Sequence, residues 1–283
     1  MTGVVIVGAG VMGRAIAKTF GASGIQTVLV SRSPDRIDEI PGVRVSGDFP
    51  ADAPDMVIEA VPETLELKRK VFLNAEASWP EAAPVLASNT SGLDLTEIAA
   101  PLSRPDRFLG LHYFHPADRL PLAELIRIPE TSPETLEEAR ELLGRSGRDC
   151  VVMASPLPGG LVNRLQHAIL HEAYDLMSRG LATPEDIDKA ARWLLGPRMC
   201  VAGLLRQKDL GGLRGHILAQ RTIVPDLCHD ARPNADVQAM LERDELGVAS
   251  GQGFYTWHED DARSAPAEAA DRLQALLSFM ESQ

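Results

Sequence analysis

Through the first half of the chain, short apolar runs alternate with segments of helical spacing. The stretches "VVIVGAG", "QTVLVS", "DMVIEA", "PVLASN" and "RFLGLHYF" are brief, apolar and bounded by turn formers, so they predict strands. Between them, "PETLELKRKVFLNAEASW" sets its apolar residues at helical intervals. This alternation predicts a parallel sheet with helices on both faces. A further strand-like run, beyond a Pro-bounded turn, carries Glu124. From about residue 160 such runs cease, and "GGLVNRLQHAILHEAYDLMSRG" and "PEDIDKAARWLL" predict an all-helical second half. The Pro- and Gly-rich "SPLPGG", residues 155–160, lies between the two regimes and divides an α/β domain over 1–157 from a helical one over 158–283. A long apolar-faced helix is expected after Pro184, and the polar "HEDDARSAPAEAADR" is expected to be a loosely held end.

Composition narrows the class. With 45% hydrophobic and 24% charged residues in 283, the chain has the profile of a soluble globular protein with a sizeable core. A net charge of -12 repels a polyanion, so nucleic acid is not expected as a partner. No run has the length of a membrane span, and the start lacks the pattern of a signal peptide, so a cytoplasmic, non-membrane protein is expected. Cys150, Cys200 and Cys228 lack metal-ligand spacing and are expected to be buried reduced thiols. Trp79, Trp193 and Trp257 are expected to anchor core or interface.

The first strand runs into "GAGVMG", which sets Gly8, Gly10 and Gly13 in the G-x-G-x-x-G spacing at the opening of a helix. That context predicts a dinucleotide site: the glycines make the tight turn, let backbone approach the pyrophosphate, and pack helix on strand. The next strand ends on Ser31 and Arg32, where a carboxylate would bind a ribose 2'-hydroxyl and repel a 2'-phosphate. Ser31, Arg32 and, one turn on, Arg36 would donate to that phosphate instead, each charge-assisted bond contributing about 1.5–3 kcal/mol. NADP(H) is therefore expected to be preferred over NAD(H).

His112 ends one strand-like run and Glu124 lies in the next, so adjacent strands would bring the two side chains together. A His oriented by a carboxylate is a recurring base for taking a hydroxyl proton while hydride leaves the same carbon. Alone, the pair is equally compatible with a structural His. His167 and His171 lie four apart with Glu172 following, but the order is not H-E-x-x-H and no third ligand is apparent, so no metal is expected.

Taken together, "GAGVMG", "EAVPE", "SNTSGLDLTEIA", "LHYFHPADRLPLAELI", "GGLVNRL", "GLATPEDIDKA" and "SGQGFYTW" occur in an order that resembles the L-3-hydroxyacyl-CoA dehydrogenase family over nearly the whole chain. The resemblance implies a Rossmann-like N-terminal domain followed by an all-α dimerisation domain, a homodimer, and NAD(P)-dependent hydride transfer at C3 of a 3-hydroxyacyl substrate. It implies that His112 is the base, Glu124 its carboxylate partner, Ser91 a contact to the substrate oxygen and Asn163 an Asn reaching in from the helical domain. Glu63, Lys68, Asn89 and His115, with Val11 and Met12 of the loop, match positions at the cofactor; at His115 the family usually has Asn, and at Ala249 often Lys. Between Arg32 and Met56 there is no room for the helical hairpin that carries coenzyme A contacts in many members. An L-3-hydroxyacyl thioester, coenzyme A first, is the expected substrate; an acyl-carrier-protein thioester, which the "KRK" patch at 68–70 would receive, and a free 3-hydroxy acid are the alternatives on the same fold, and a non-catalytic dinucleotide binder is the alternative of a different class.

Overall fold

In a computed structural model, residues 3–282 are described. The chain divides into two compact units, Met1–Arg164 and Leu165–Gln283.

The first unit is built on one eight-stranded sheet: β1 (Gly3–Val7), β2 (Gln26–Val30), β3 (Val43–Ser46), β4 (Met56–Glu59), β5 (Val85–Ser88), β6 (Phe108–Tyr113), β7 (Leu122–Arg127) and β8 (Asp149–Met153), in the order β3-β2-β1-β4-β5-β6-β7-β8. Both faces are covered, which explains why the strands read as continuous apolar runs. On one face α1 (Val11–Ala22) and α4 (Pro133–Arg145) bury Ile16, Phe20, Leu142 and Leu143 against Ile6, Leu29 and Leu109. On the other, α2 (Leu65–Ser78) and α3 (Leu95–Ala99) bury Phe72 and Ile98 against Val5, Val57 and Phe108. Each such side chain contributes about 1.5–3 kcal/mol of hydrophobic burial. The strand order reverses between β1 and β4, and ligands of open α/β sheets bind at the carboxyl ends of the strands beside such a point.

The sheet is not wholly parallel as the alternation predicts: β7 runs antiparallel to β6. Only residues 114–121 join the two, and a parallel crossover needs a dozen or more. The register sets His112 directly opposite Glu124. β3 and β8, which carry the polar or charged Arg44, Ser46 and Asp149 among their apolar residues, extend the two sheet edges.

The second unit holds most of α5 (Val162–Ser178), then α6 (Pro184–Ala190), α7 (Gly196–Ala202), α8 (Arg206–Gly211), α9 (Leu213–Ile223), α10 (Ala235–Glu242) and α11 (Glu259–Glu281). The long helix expected after Pro184 is present as a continuous helical run to Ala202, with a π turn over Ala191–Leu195 between α6 and α7. Residues expected in a loose tail form α11, because acids at 259–261 favour a helix N-terminus and an Ala-rich stretch follows, with Pro266 inside. Among its described residues only Ala173 is buried, while Trp193 is 71% and Val201 88% exposed. Trp79 does sit in the core of the first unit. The cysteines are free, but none is buried as expected: Cys200 is exposed, Cys150 is half-buried on the edge strand β8, and Cys228 is half-buried in the loop between α9 and α10. His171 holds the Asp230 carbonyl at 2.7 Å. No helix among the described residues is long and apolar enough to cross a membrane.

Candidate active site

The turn after β1 has the shape its glycines require. Gly8 adopts φ +111°, and a Cβ there would lie 2.5 Å from the Ala60 carbonyl oxygen. A Cβ on Gly13 would lie 1.8 Å from Gly8 O, so only glycine lets α1 start this close to the strand. Gly10 faces open space, with nothing within 4 Å of a Cβ. No side chain caps α1 and no acid sits in its first turn, which leaves the orphan amides around Val11, Met12 and Gly13 to an anion. This cradle fits a dinucleotide pyrophosphate. Beyond β2, the Ser31 hydroxyl accepts from the Ser33 amide at 3.2 Å, and Arg32 and Arg36 are exposed.

Three side chains from separate elements line up at the carboxyl end of the sheet. His112 Nδ1 lies 3.0 Å from Glu124 Oε2, and His112 Nε2 lies 3.0 Å from Ser91 Oγ. Both His112 and Glu124 are buried, and Phe114 packs edge-on to the imidazole at 4.5 Å between ring centres. The other oxygen of Glu124 accepts from the amides of Leu161 at 2.9 Å and Val162 at 2.7 Å, at the start of α5. Three donors thus face one carboxylate, the pattern of an ionised acid that accepts only. With its proton on Nδ1, the imidazole turns the Nε2 lone pair toward Ser91.

The turn bearing Ser91 is tied to a second acid. Glu63 accepts from the Thr90 hydroxyl and from the amides of Ser91 at 3.2 Å and Gly92 at 3.1 Å. Partial burial pushes its proton affinity up, but the Thr90 hydroxyl, the Lys68 ammonium and the Gly92 amide outweigh this and hold its pKa below the usual carboxylate range. Glu63 therefore stabilises the fold above its unfolded-state pKa, and the contribution is lost as pH falls through the depressed folded value. Urea midpoints should accordingly show wild type ahead of Glu63→Gln at neutral pH, with the gap closing below about pH 4.

The remaining expected residues are distributed unevenly. Lys68 is only 1% exposed and points at Glu59 and Glu63 rather than outward. This dissolves the "KRK" patch, because successive helical residues face different directions: Arg69 holds the Glu97 carbonyl at 2.6 Å and Lys70 alone is exposed. Asn89 Oδ1 accepts from the Tyr113 amide at 2.9 Å, tying β5 to the strand of His112. Asn163 falls in the first unit, directly after Val162 on α5, and its side chain bonds to no other described residue. His115 is exposed on the turn between β6 and β7. Sequence reasoning missed Gly160, whose Cβ would lie 2.3 Å from Glu124 Oε2, and Glu59, buried behind Lys68. The Gly doublet at 159–160 and the acid opening "EAVPE" were their signals. A cavity of about 250 Å³ opens beside His112, walled by Leu93, Ile126, Pro129 and Leu157, with Ser91 at its polar side and no Lys or Arg among the described lining residues.

Comparison with known proteins places this geometry. The family model of the 3-hydroxyacyl-CoA dehydrogenase NAD-binding domain matches residues 3–43 and 40–155, and that of the C-terminal domain matches 159–257. The chain belongs to the 3-hydroxyacyl-CoA dehydrogenase family. It is thus a dehydrogenase acting on a CH–OH group with a nicotinamide cofactor. The 3-hydroxybutyryl-CoA dehydrogenase of Mycobacterium tuberculosis is 32% identical over 284 residues, covering 89% of this chain and 97% of that one. The 5-formyl-3-hydroxy-2-methylpyridine 4-carboxylate 5-dehydrogenase of Mesorhizobium japonicum is 28% identical over 304 residues, covering 98% of both. A solved structure of a dehydrogenase with that activity, described as an NAD+-dependent dismutase, superposes over 100% of both chains with a TM-score of 0.91 at 27% identity. The (S)-3-hydroxybutyryl-CoA dehydrogenase of Ralstonia eutropha gives 0.70 at 29% identity, covering 92% of this chain and 100% of that one.

Proposed function

We propose that this family member is an NADP(H)-preferring dehydrogenase of a compact 3-hydroxy or 3-keto acid carrying no coenzyme A, with His112 as its base. The Ser91–His112–Glu124 alignment carries the chemistry. A substrate hydroxyl within reach of Ser91 Oγ and His112 Nε2 gives its proton to Nε2, and Glu124 offsets the positive charge that then forms on the ring. In the reverse direction the imidazolium returns the proton to the keto oxygen, which Ser91 and Asn163 polarise. A bound nicotinamide supplies or accepts the hydride. Gly8, Gly10 and Gly13 hold its pyrophosphate, and Glu63 and His115 line its approach.

The compact substrate is favoured by the segment between β2 and β4. It holds only a 3-10 turn over Pro34–Arg36 and β3, with no helical hairpin to carry coenzyme A. The superposition with the pyridine-carboxylate enzyme over full length points the same way. A second reading, an acyl thioester, is favoured by the 3-hydroxybutyryl-CoA relatives. Consumption of NADPH and NADH, each with acetoacetate and with acetoacetyl-CoA, separates them. Turnover of the free acid supports the first reading, turnover of the thioester alone selects the second, and turnover of neither, despite tight NADPH binding, sinks both.

NADPH preference is assigned to Ser31, Arg32 and Arg36. Arg32→Ala should reduce the NADPH advantage by about tenfold or more and leave NADH turnover unchanged, as losing one charge-assisted bond requires; equal losses with both cofactors would reject the assignment. The apolar residues exposed in the second unit, Leu205 and Leu210 among them, suit a homodimer. Light scattering should find a dimer at working concentration, and a monomer would refute this.

A further inference from the structure

Glu59 is a fully buried acid beside the site, and the reaction described above does not use it. It ends β4, and its carboxylate accepts from Lys68 Nζ at 2.8 and 3.0 Å, from Ser88 Oγ at 2.7 Å and from the Val61 amide at 2.7 Å. Lys68 turns its remaining donors to the Val61 carbonyl at 3.4 Å and to Glu63 at 3.1 Å. Glu63 in turn holds Thr90, Ser91 and Gly92. The series ends on the backbone of the residue whose hydroxyl lies 3.0 Å from His112 Nε2.

An ion pair this enclosed is a poor source of stability, since desolvation costs several kcal/mol per ion and an apolar replacement is often neutral. Two acidic side chains share the one Lys68 amine. Position is what the arrangement supplies. Ser91 and Gly92 are exposed and gain little from packing, so hydrogen bonds to Glu63 set where the turn lies. Lys68 fixes Glu63, and Glu59, bonded on every side, fixes Lys68.

We propose that Glu59, acting through Lys68 and Glu63, is a positioning residue that sets the Ser91 hydroxyl against His112 Nε2. The proposal rests on the reading of Ser91 and His112 as the reacting pair.

The test is a mutant cycle. Glu59→Gln and Thr90→Val are each made alone and in a Ser91→Ala background, and kcat, KM and NADPH affinity by fluorescence are measured. Each single variant should lower kcat about tenfold or more with NADPH affinity nearly unchanged, as displacement of a reacting group by a fraction of an ångström requires. In the Ser91→Ala background the same substitutions should cost less than about twofold, because the route through Ser91 is already gone. Undiminished losses in that background, or losses confined to NADPH affinity, overturn the proposal. If Glu59→Gln does not fold, Ser88→Ala takes its place in the cycle, since it removes one donor to Glu59 and leaves the ion pairs intact. A costly Ser91→Ala with a harmless change at Glu59, or at Ser88 in its place, rejects the positioning role alone. A harmless Ser91→Ala rejects the reading of the reacting pair and the positioning role with it.

Discussion

His112→Ala is expected to lower kcat by about a hundred- to ten-thousandfold, the usual contribution of a positioned general base, while leaving cofactor affinity in place. His112 is the only side chain bonded to both Ser91 Oγ and Glu124 among the described residues, so no neighbour inherits its position. Steady-state kinetics with NADPH titrated separately by fluorescence would check this, and near-full turnover would refute the role of His112. Glu124→Gln should be nearly as damaging despite its similar size. The carboxylate faces three donors, His112 Nδ1–H and the amides of Leu161 and Val162. One orientation of a glutamine amide turns its NH2 toward His112 Nδ1, which costs the imidazole its acceptor or changes its tautomer, and the other turns it toward the amides of Leu161 and Val162, which lose theirs. A flattened or displaced pH profile of kcat would accompany the loss.

Gly160→Ala is the second large effect. A Cβ at this position would lie 2.3 Å from Glu124 Oε2 and 3.1 Å from its Cδ, and that buried carboxylate is held in place by His112, Leu161 and Val162. The residue also adopts φ +57°, where a side chain adds about 1–2 kcal/mol of backbone strain. Displacing Glu124 by the required fraction of an ångström should cost about tenfold to a hundredfold in kcat. Gly159→Ala separates the two causes. Gly159 is left-handed as well, at φ +81°, but its Cβ would make only ordinary contacts, with Arg164 Cγ at 3.5 Å, Asn163 Cβ at 3.6 Å and Arg164 N at 3.8 Å. Strain without displacement should lower the melting temperature and spare most of kcat. Equal losses of kcat in both variants would mean that backbone strain, and not the contact with Glu124, governs activity.

The glycine-rich turn, the layered α/β half and the helical second half were legible in the chain because each is encoded locally. Strand runs apolar on both faces announce a covered sheet, and the three glycines need only their neighbours to define the turn. The pairing of His112 with Glu124 was legible too, since both lie on runs joined by a short turn and β pairing converts such spacing into contact. Tertiary structure decided what depends on residues far apart in sequence. It placed Lys68 between Glu59 and Glu63 instead of in a surface patch, because α2 packs that side against the sheet. It closed Glu63 onto Ser91, 28 positions away, and the amide of Leu161 onto Glu124, 37 away. It also made Gly160 indispensable, although the same doublet reads in the sequence as linker. Local periodicity reports which face of an element is apolar. Which atoms meet across that face is fixed only when the elements pack to interior density, where a single methyl group at Gly160 has no room.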